Sequence, residues 1–413
     1  MHSTINESEE LWLKNYPKGV KKTINADQYK NIMDVFDQAV KKFRDQKSFT
    51  NMGVSITFEE LDRLVGNFAS FLQNELGLKK GDRIAIQMPN LLQYPVVMFG
   101  AIRAGLIIVN TNPLYTKKEM QHQFKDSGAK SIVILANFAN HLEEIIKETD
   151  IESVVITEIG DGFSFLKKTL INTVVKRVKK MVPAYNLPQA YTYAKALQIG
   201  SQKPYREVPT EISDVAFLQY TGGTTGVSKG AVLTHRNVIA NMLQICEWMK
   251  PILVEGKEVI ITALPLYHIF SLTVNCLTFM VYGGENILIT NPKDIPGFIK
   301  TMINTPFTVV TGVNTLYNAL MNHPEFSKIN FKSAKISVAG AMALQKAVYD
   351  RWKQKTNTLI FEGYGLTEAS PVVCCNITQH NTTSHLYGSR TDILSGCAYH
   401  RHHHIHPPSY EFA

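Results

Sequence analysis

The stretch that most limits what this chain can become is Tyr220-Thr-Gly-Gly-Thr-Thr-Gly-Val-Ser-Lys-Gly230, which holds four glycines, three threonines, one serine and one lysine. Glycines let consecutive backbone N–H groups turn toward one anion without a Cβ in the way. Hydroxyls and an ammonium add directed donors, so the stretch reads as a phosphate-gripping loop. The apolar run Val215-Ala-Phe-Leu-Gln219 leads into it like a strand, and Ala231-Val-Leu-Thr234 followed by a helix from His235 to Met249 leads out. A Walker loop is excluded, because Lys229 is followed by Gly230 and not by Ser or Thr. The bland alternative is a flexible surface turn, and the concentration of these residue types argues against it.

With 413 residues, 45% of them hydrophobic and 19% charged, the chain can fill two or three packed subdomains. Its net charge of +8 and pI near 9.0 suit nucleic acid, anionic lipid or phosphorylated substrates alike. No helix-turn-helix, zinc or RNA-binding signature accompanies the charge, so no nucleic-acid partner is expected. The five cysteines, Cys246, Cys276, Cys374, Cys375 and Cys397, form no CxxC pair, which points to reduced thiols in a cytoplasmic protein and to no metal site. The polar, acidic N-terminus lacks the apolar core of a signal peptide. Residues 259–282 are apolar and long enough to span a bilayer, but Pro265, His268 and Asn275 interrupt them. A buried strand, a turn and a buried helix are expected there.

In chain order, Phe49-Thr-Asn-Met-Gly-Val-Ser-Ile56 predicts a hairpin turning at Asn51-Met-Gly53. Thr57-Phe-Glu-Glu60 predicts a capping box opening a helix with Leu61, Leu64, Val65, Phe68, Phe71 and Leu72 on one face. Strands at 83–88, 106–110 and 131–135 alternate with helices, the pattern of a parallel sheet with crossovers. Such sheets bind ligands beyond the carboxyl ends of their strands. A second series follows the loop, with strands near 258–264, 287–290, 308–310, 335–339 and 357–361, and suggests a second similar layer. Residues 163–185 are basic and amphipathic, with Leu166, Leu170, Val174, Val178 and Val182 at every fourth place among lysines and Arg177. They suit either an anionic membrane surface or a helix packed on its own protein with a solvated lysine face.

Three further segments resemble parts of a site. Leu264-Pro-Leu-Tyr-His-Ile-Phe270 presents His268 after a strand, although a lone histidine there is more often a satisfied core residue. Ser337-Val-Ala-Gly-Ala-Met342 is a strand end whose Gly340 permits close backbone approach. Glu362-Gly-Tyr-Gly-Leu-Thr-Glu368 offers an aromatic ring between glycines, then a hydroxyl beside a carboxylate, hard oxygens that suit Mg2+ with phosphates. A Gly-rich turn before a helix is its bland reading.

In this order and separation, these segments resemble the adenylate-forming superfamily of acyl- and aryl-CoA ligases, peptide-synthetase adenylation domains and luciferases. Met88-Pro-Asn-Leu-Leu-Gln-Tyr-Pro95, Asn112-Pro-Leu-Tyr115, Leu218-Gln-Tyr-Thr-Gly-Gly-Thr-Thr-Gly226, Thr290-Asn-Pro292 and Gly312-Val-Asn-Thr315 are similar in particular to the bacterial long-chain fatty acid–CoA ligases. The resemblance implies layered α/β subdomains of an adenylating N-terminal domain over residues 1–389. It implies attack of a fatty carboxylate on the α-phosphate of ATP, then displacement of AMP by the thiol of coenzyme A. By the same resemblance Thr221 to Lys229, with Gly222, Gly223, Thr224, Thr225 and Gly226 among them, hold the β- and γ-phosphates, and Tyr220 is a further ATP-binding residue. Thr221 and Glu368 contact Mg2+, and Thr367 reaches the α-phosphate. Tyr364 stacks on adenine in a pocket lined by Gly340, Ala341, Glu362, Gly363 and Gly365. His268 sits near the carboxylate and the adenylate, with Gly312 and Val313 as acyl-tunnel wall. Thr221, Lys229, His268, Thr367 and Glu368 are thus the expected catalytic set, and contact with the inner face of the membrane is expected through residues 163–185.

From residue 390 the resemblance stops. The tail, with His400, His402, His403, His404 and His406, is expected to be an out-of-frame or divergent segment, with metal binding as the alternative. The barrel-like subdomain, the Thr-Gly-Asp segment that grips ribose and the C-terminal domain with its lysine are expected to be missing, leaving weak or no turnover. Two other readings stay open: a non-catalytic nucleotide- or lipid-binding remnant, and an adenylating enzyme for another carboxylic acid.

Overall fold

The structure, a computed structural model, describes residues 16–222 and 227–376. Its strands form two sheets. The eight-stranded sheet runs Val372–Cys375, Ile360–Gly365, Ile336–Ala339, Val309–Gly312, Val259–Thr262, Glu285–Leu288, Lys47–Asn51, Val54–Thr57. The seven-stranded sheet runs Tyr191–Thr192, Ser153–Thr157, Ala129–Leu135, Arg83–Gln87, Ile107–Asn110, Val215–Thr221, Lys229–Thr234. Pairing is parallel except for the outermost pair at both edges of the first sheet and for the phosphate-loop hairpin of the second.

Local expectations hold where local chemistry decides. Met52 and Gly53 turn the first hairpin in the left-handed region, with φ of 48° and 75°. The Thr57 hydroxyl accepts from Glu60 N (3.1 Å) and the Glu60 carboxylate accepts from Thr57 N (2.9 Å), capping the helix Phe58–Asn74. The helix after the phosphate loop spans His235–Met249, as its pattern predicts. The helix Gln93–Arg103 is buried at all eleven positions, which its nearly unbroken apolar sequence allows.

Three expectations need correction. The two layers do not follow the two halves of the chain: the first hairpin pairs with Glu285–Leu288 through Phe49 and Asn286, and the strand entering the phosphate loop pairs with Ile107–Asn110 through Phe217 and Ile108. Each sheet thus borrows a hairpin from the other half. The expected strand at 357–361 lies at Ile360–Gly365, because antiparallel pairing of Tyr364 with Cys374 draws the Gly-Tyr-Gly run into the sheet. In region 163–185 a helix Phe165–Thr173 continues as a π-turn, Val174–Val178. There Lys168 pairs with Asp161 (2.7 Å) and Lys167 donates to the Met52 carbonyl, while Phe165, Leu166 and Leu170 are 79%, 80% and 65% exposed. The solvated-lysine-face reading is therefore inverted over this helix. Among the described residues no helix is long and apolar enough to cross a membrane, and residues 259–282 form the expected strand, turn and helical segment.

The last described strand is moored to the helix His235–Met249. The Asn241 side chain donates to the Val372 carbonyl (2.7 Å) and accepts from Val372 N (3.0 Å), and the Trp248 indole donates to the Asn376 carbonyl (2.9 Å). Tyr16, near the other end of the chain, stacks edge-on against the same indole at 5.2 Å. The tail from residue 390 lies outside the described residues.

His235 opens that helix, buried, with Nδ1 accepting from Ile32 N at 3.2 Å. Burial pushes its pKa down to about 4, against the pull of Asp214. An unfolded histidine titrates near 6.5, so between the two values an unfolded chain takes up a proton that the folded chain refuses. Stability therefore falls as pH drops through that window, by about 3 kcal/mol in full. In His235→Asn, which keeps an acceptor but does not titrate, urea unfolding at pH 7 and pH 4.5 is expected to show a smaller acid loss than in the unsubstituted chain.

Candidate active site

The site is built on the hairpin Val215–Thr221 and Lys229–Thr234. Its register pairs Tyr220 with Gly230 and Thr221 with Lys229, so the Thr221 hydroxyl and the Lys229 ammonium belong to paired residues at the loop's mouth. Gly222 is the last described residue on the incoming side; Gly223, Thr224, Thr225 and Gly226 lie outside the described residues. The Tyr220 ring lies on Gly230, where a Cβ would meet it at 3.1 Å. The Tyr220 hydroxyl donates to the Asp126 carboxylate at 2.6 Å, and burial first and Asp126 second raise its pKa far above neutral pH. Tyr220 thus serves the loop as a permanently protonated anchor.

The segment 264–270 leaves the eight-stranded sheet and is held by side chains from the chain that follows the strand Arg83–Gln87 and from the strand Val215–Thr221. The Asn90 amide donates to the Thr262 and Leu264 carbonyls (3.0 Å each) and accepts from Leu266 N (2.8 Å). The Tyr94 hydroxyl lies 2.9 Å from the Leu266 carbonyl and 2.7 Å from Asn110 Oδ1. Gln219 donates to the Tyr267 carbonyl (2.7 Å) and accepts from Asn110 Nδ2 (3.1 Å). His268 sits at the end of this tether, its ring 4.6 Å from that of Tyr267. It reaches the surface yet is crowded by protein, and that desolvation lowers its pKa, so the imidazole is neutral at pH 7. The segments Met88–Pro95 and Leu218–Gly226 carried a resemblance, but nothing in the sequence gave Asn90, Tyr94, Asn110 or Gln219 a role.

Gly340 is where three segments meet. A Cβ there would lie 3.0 Å from the Phe270 ring and 3.4 Å from the Gly363 carbonyl. Ala341 adopts a left-handed φ of 67°, a strained conformation for a residue with a side chain. Glu362 pairs in register with Ala339, and its carboxylate accepts from Leu344 N at 2.8 Å, which fixes the turn after Gly340. Tyr364 presents its ring to solvent, and Gly365 has no room for a side chain because the Pro371 carbonyl lies 2.1 Å from where a Cβ would be. The short helix Thr367–Ala369 packs on the strand Lys229–Thr234, setting Thr367 and the exposed Glu368 beside the phosphate loop's outgoing arm. Gly312 pairs with Ala339 and lies against the Tyr317 ring, which places Gly312 and Val313 next to the same cluster.

Thr221 and Glu368 offer hard oxygen donors, and among the described residues no group of three or more His, Cys, Asp or Glu forms a closed metal cage. Such a donor set fits Mg2+, which keeps waters and phosphate oxygens in its shell.

Residues 36–394 match the family described as AMP-binding enzyme. The chain is 51% identical over 368 residues to a long-chain-fatty-acid--CoA ligase of Escherichia coli O157:H7, covering 89% of this chain and 66% of that protein. It is 48% identical over 391 residues to one from Haemophilus influenzae, covering 93% and 69%. The chain thus spans about two thirds of the length of the curated relatives it matches. Among solved structures it resembles an anthranilate CoA ligase in complex with anthranoyl-AMP (TM-score 0.74, 18% identity, 86% of this chain and 64% of that one). It also resembles a long-chain-fatty-acid-CoA ligase from Archaeoglobus fulgidus (TM-score 0.71, 22% identity, 88% and 69%). The chain belongs to the AMP-binding enzyme family.

Proposed function

We propose that this chain carries the ATP- and acyl-handling part of an AMP-forming long-chain fatty acid–CoA ligase. The observation that supports it most is the meeting of segments 264–270, 337–342 and 362–368 at Gly340, next to the hairpin of the phosphate loop. In this reading a fatty carboxylate attacks the α-phosphorus of ATP, the bond to the bridging oxygen breaks and pyrophosphate leaves. The thiol of coenzyme A then displaces AMP and forms the thioester. The first barrier is the approach of two anions. The Lys229 ammonium and the Thr221 hydroxyl counter charge on the departing pyrophosphate, and Thr367 donates to the α-phosphate. A neutral His268 can donate an N–H to the carboxylate without fixing it as a tight ion pair. Tyr364 stacks on adenine, and Gly340 and Ala341 let the nucleotide approach the backbone. Mg2+, held by Glu368 and Thr221, would supply further neutralisation of phosphate charge.

The protein is further inferred to work in the cytoplasm with peripheral contact to a membrane. The outward Phe165, Leu166 and Leu170 support this, together with Lys176, Arg177, Lys179 and Lys180, which form no ion pair among the described residues. Apolar side chains beside a basic cluster suit an anionic lipid surface.

Fatty-acid-dependent exchange of labelled pyrophosphate into ATP is the direct test of the ligase reading, with Lys229→Met expected to lower the rate by roughly 100-fold. ATP binding without exchange would favour a non-catalytic role, and exchange driven by an aryl or amino acid but not by a fatty acid would favour another acid substrate. For the membrane, sedimentation with phosphatidylglycerol vesicles but not with phosphatidylcholine vesicles is expected, weakened by salt and by the triple change Phe165→Ser, Leu166→Ser, Leu170→Ser. Equal binding to both vesicle types, or none, would sink that part of the reading.

A further inference from the structure

Both arms of the phosphate loop are tied to one helix, Lys117–Ser127. On the incoming arm Asp126 accepts the Tyr220 hydroxyl at 2.6 Å; on the outgoing arm His122 Nε2 lies 2.9 Å from the Ser228 carbonyl. A carbonyl only accepts, so Nε2 carries the proton in this contact. His122 and Asp126 stand four residues apart, one turn of helix, and therefore on the same face. Gln123 of the same turn donates to the Asn110 carbonyl at 3.0 Å, joining the helix to the strand beside the loop. The helix is itself fixed at its start, where Thr116 and Glu119 form a capping box, and at its end, where Gly128 takes a left-handed φ of 60°.

A loop so rich in glycine loses much conformational entropy when it closes on an anion, and fixing its two ends beforehand reduces that cost. The four residues Tyr220, Gly230, Ser228 and Thr221 have no charge to offer phosphate; what they need is placement. We infer that His122 and Asp126 are positioning residues for the phosphate loop: they set the distance between its arms and so its affinity for the pyrophosphate part of the nucleotide, touching no substrate themselves. This rests on the reading of that loop as a pyrophosphate grip.

The test is calorimetric titration of the full chain with inorganic pyrophosphate plus Mg2+, and separately with AMP. Removing one anchoring hydrogen bond in His122→Leu or Asp126→Leu is expected to weaken pyrophosphate binding by roughly tenfold. AMP binding, which does not call on the loop's grip, is expected to stay within about twofold. His122→Gln, whose amide can present an N–H at the position of Nε2, is expected to retain most of the pyrophosphate affinity. Thermal melting of each variant separates lost anchoring from lost folding. Unchanged pyrophosphate binding in both leucine variants would overturn the inference, as would equal losses for pyrophosphate and AMP or failure of the glutamine to rescue. If the unsubstituted chain binds AMP but not pyrophosphate, the grip reading itself falls and this inference with it.

Discussion

The arrangement depends on three side chains, Asn90 just after the strand Arg83–Gln87, Tyr94 on the helix Gln93–Arg103 and Gln219 on the strand Val215–Thr221, which hold the backbone that leaves the eight-stranded sheet. Asn90, Tyr94 and Gln219 are buried, and between them they engage the Thr262, Leu264, Leu266 and Tyr267 carbonyls and the Leu266 amide. These groups lie where water cannot serve them, and an unpaired buried carbonyl or amide costs about 1–3 kcal/mol. The contact is thus directional as well as stabilising: it decides where segment 264–270 runs, and hence where His268 stands relative to the phosphate loop. Gln219 precedes Tyr220, so one strand both enters the loop and holds the histidine segment. A shift in either would be felt by the other.

The electrostatic character of the site follows from what its charged groups are already doing. Glu362 is occupied by the Leu344 amide and Asp126 by the Tyr220 hydroxyl, while His268 is kept neutral by its crowded setting. Lys229 on the loop's outgoing arm and Glu368 on the short helix packed against that arm carry one charge of each sign. At Gly340 and Gly365 the neighbouring Phe270 ring and Pro371 carbonyl come so close that a side chain would not fit, so these segments meet through backbone as well as side chains.

Much of this was legible in the sequence wherever short-range chemistry decides. The Met52-Gly53 turn, the Thr57–Glu60 box, the helix His235–Met249 and the strands flanking the phosphate loop all follow from neighbours within a few residues. What was not legible is long-range. Nothing near Phe49 announces that it will pair with Asn286, and nothing near Asn90 says that its amide will serve carbonyls over 170 residues away. Tyr364 between two glycines reads as a turn until Cys374 is known to lie beside it. The every-fourth apolar pattern at Leu166 and Leu170 read equally well as an inward face, because periodicity shows that a helix has two faces and not which one is covered.

The mooring of the last described strand has a spectroscopic consequence. Trp248 is buried where Tyr16, the helix His235–Met249 and the Asn376 carbonyl come together, so its indole senses both extremities of the described chain at once. The other described tryptophan, Trp352, is sealed among Tyr317, Phe326 and Phe331 in a separate core. The emission of Trp248 is therefore a built-in gauge of whether the two extremities remain docked, against which Trp352 serves as an internal reference for the integrity of the sheet beneath it.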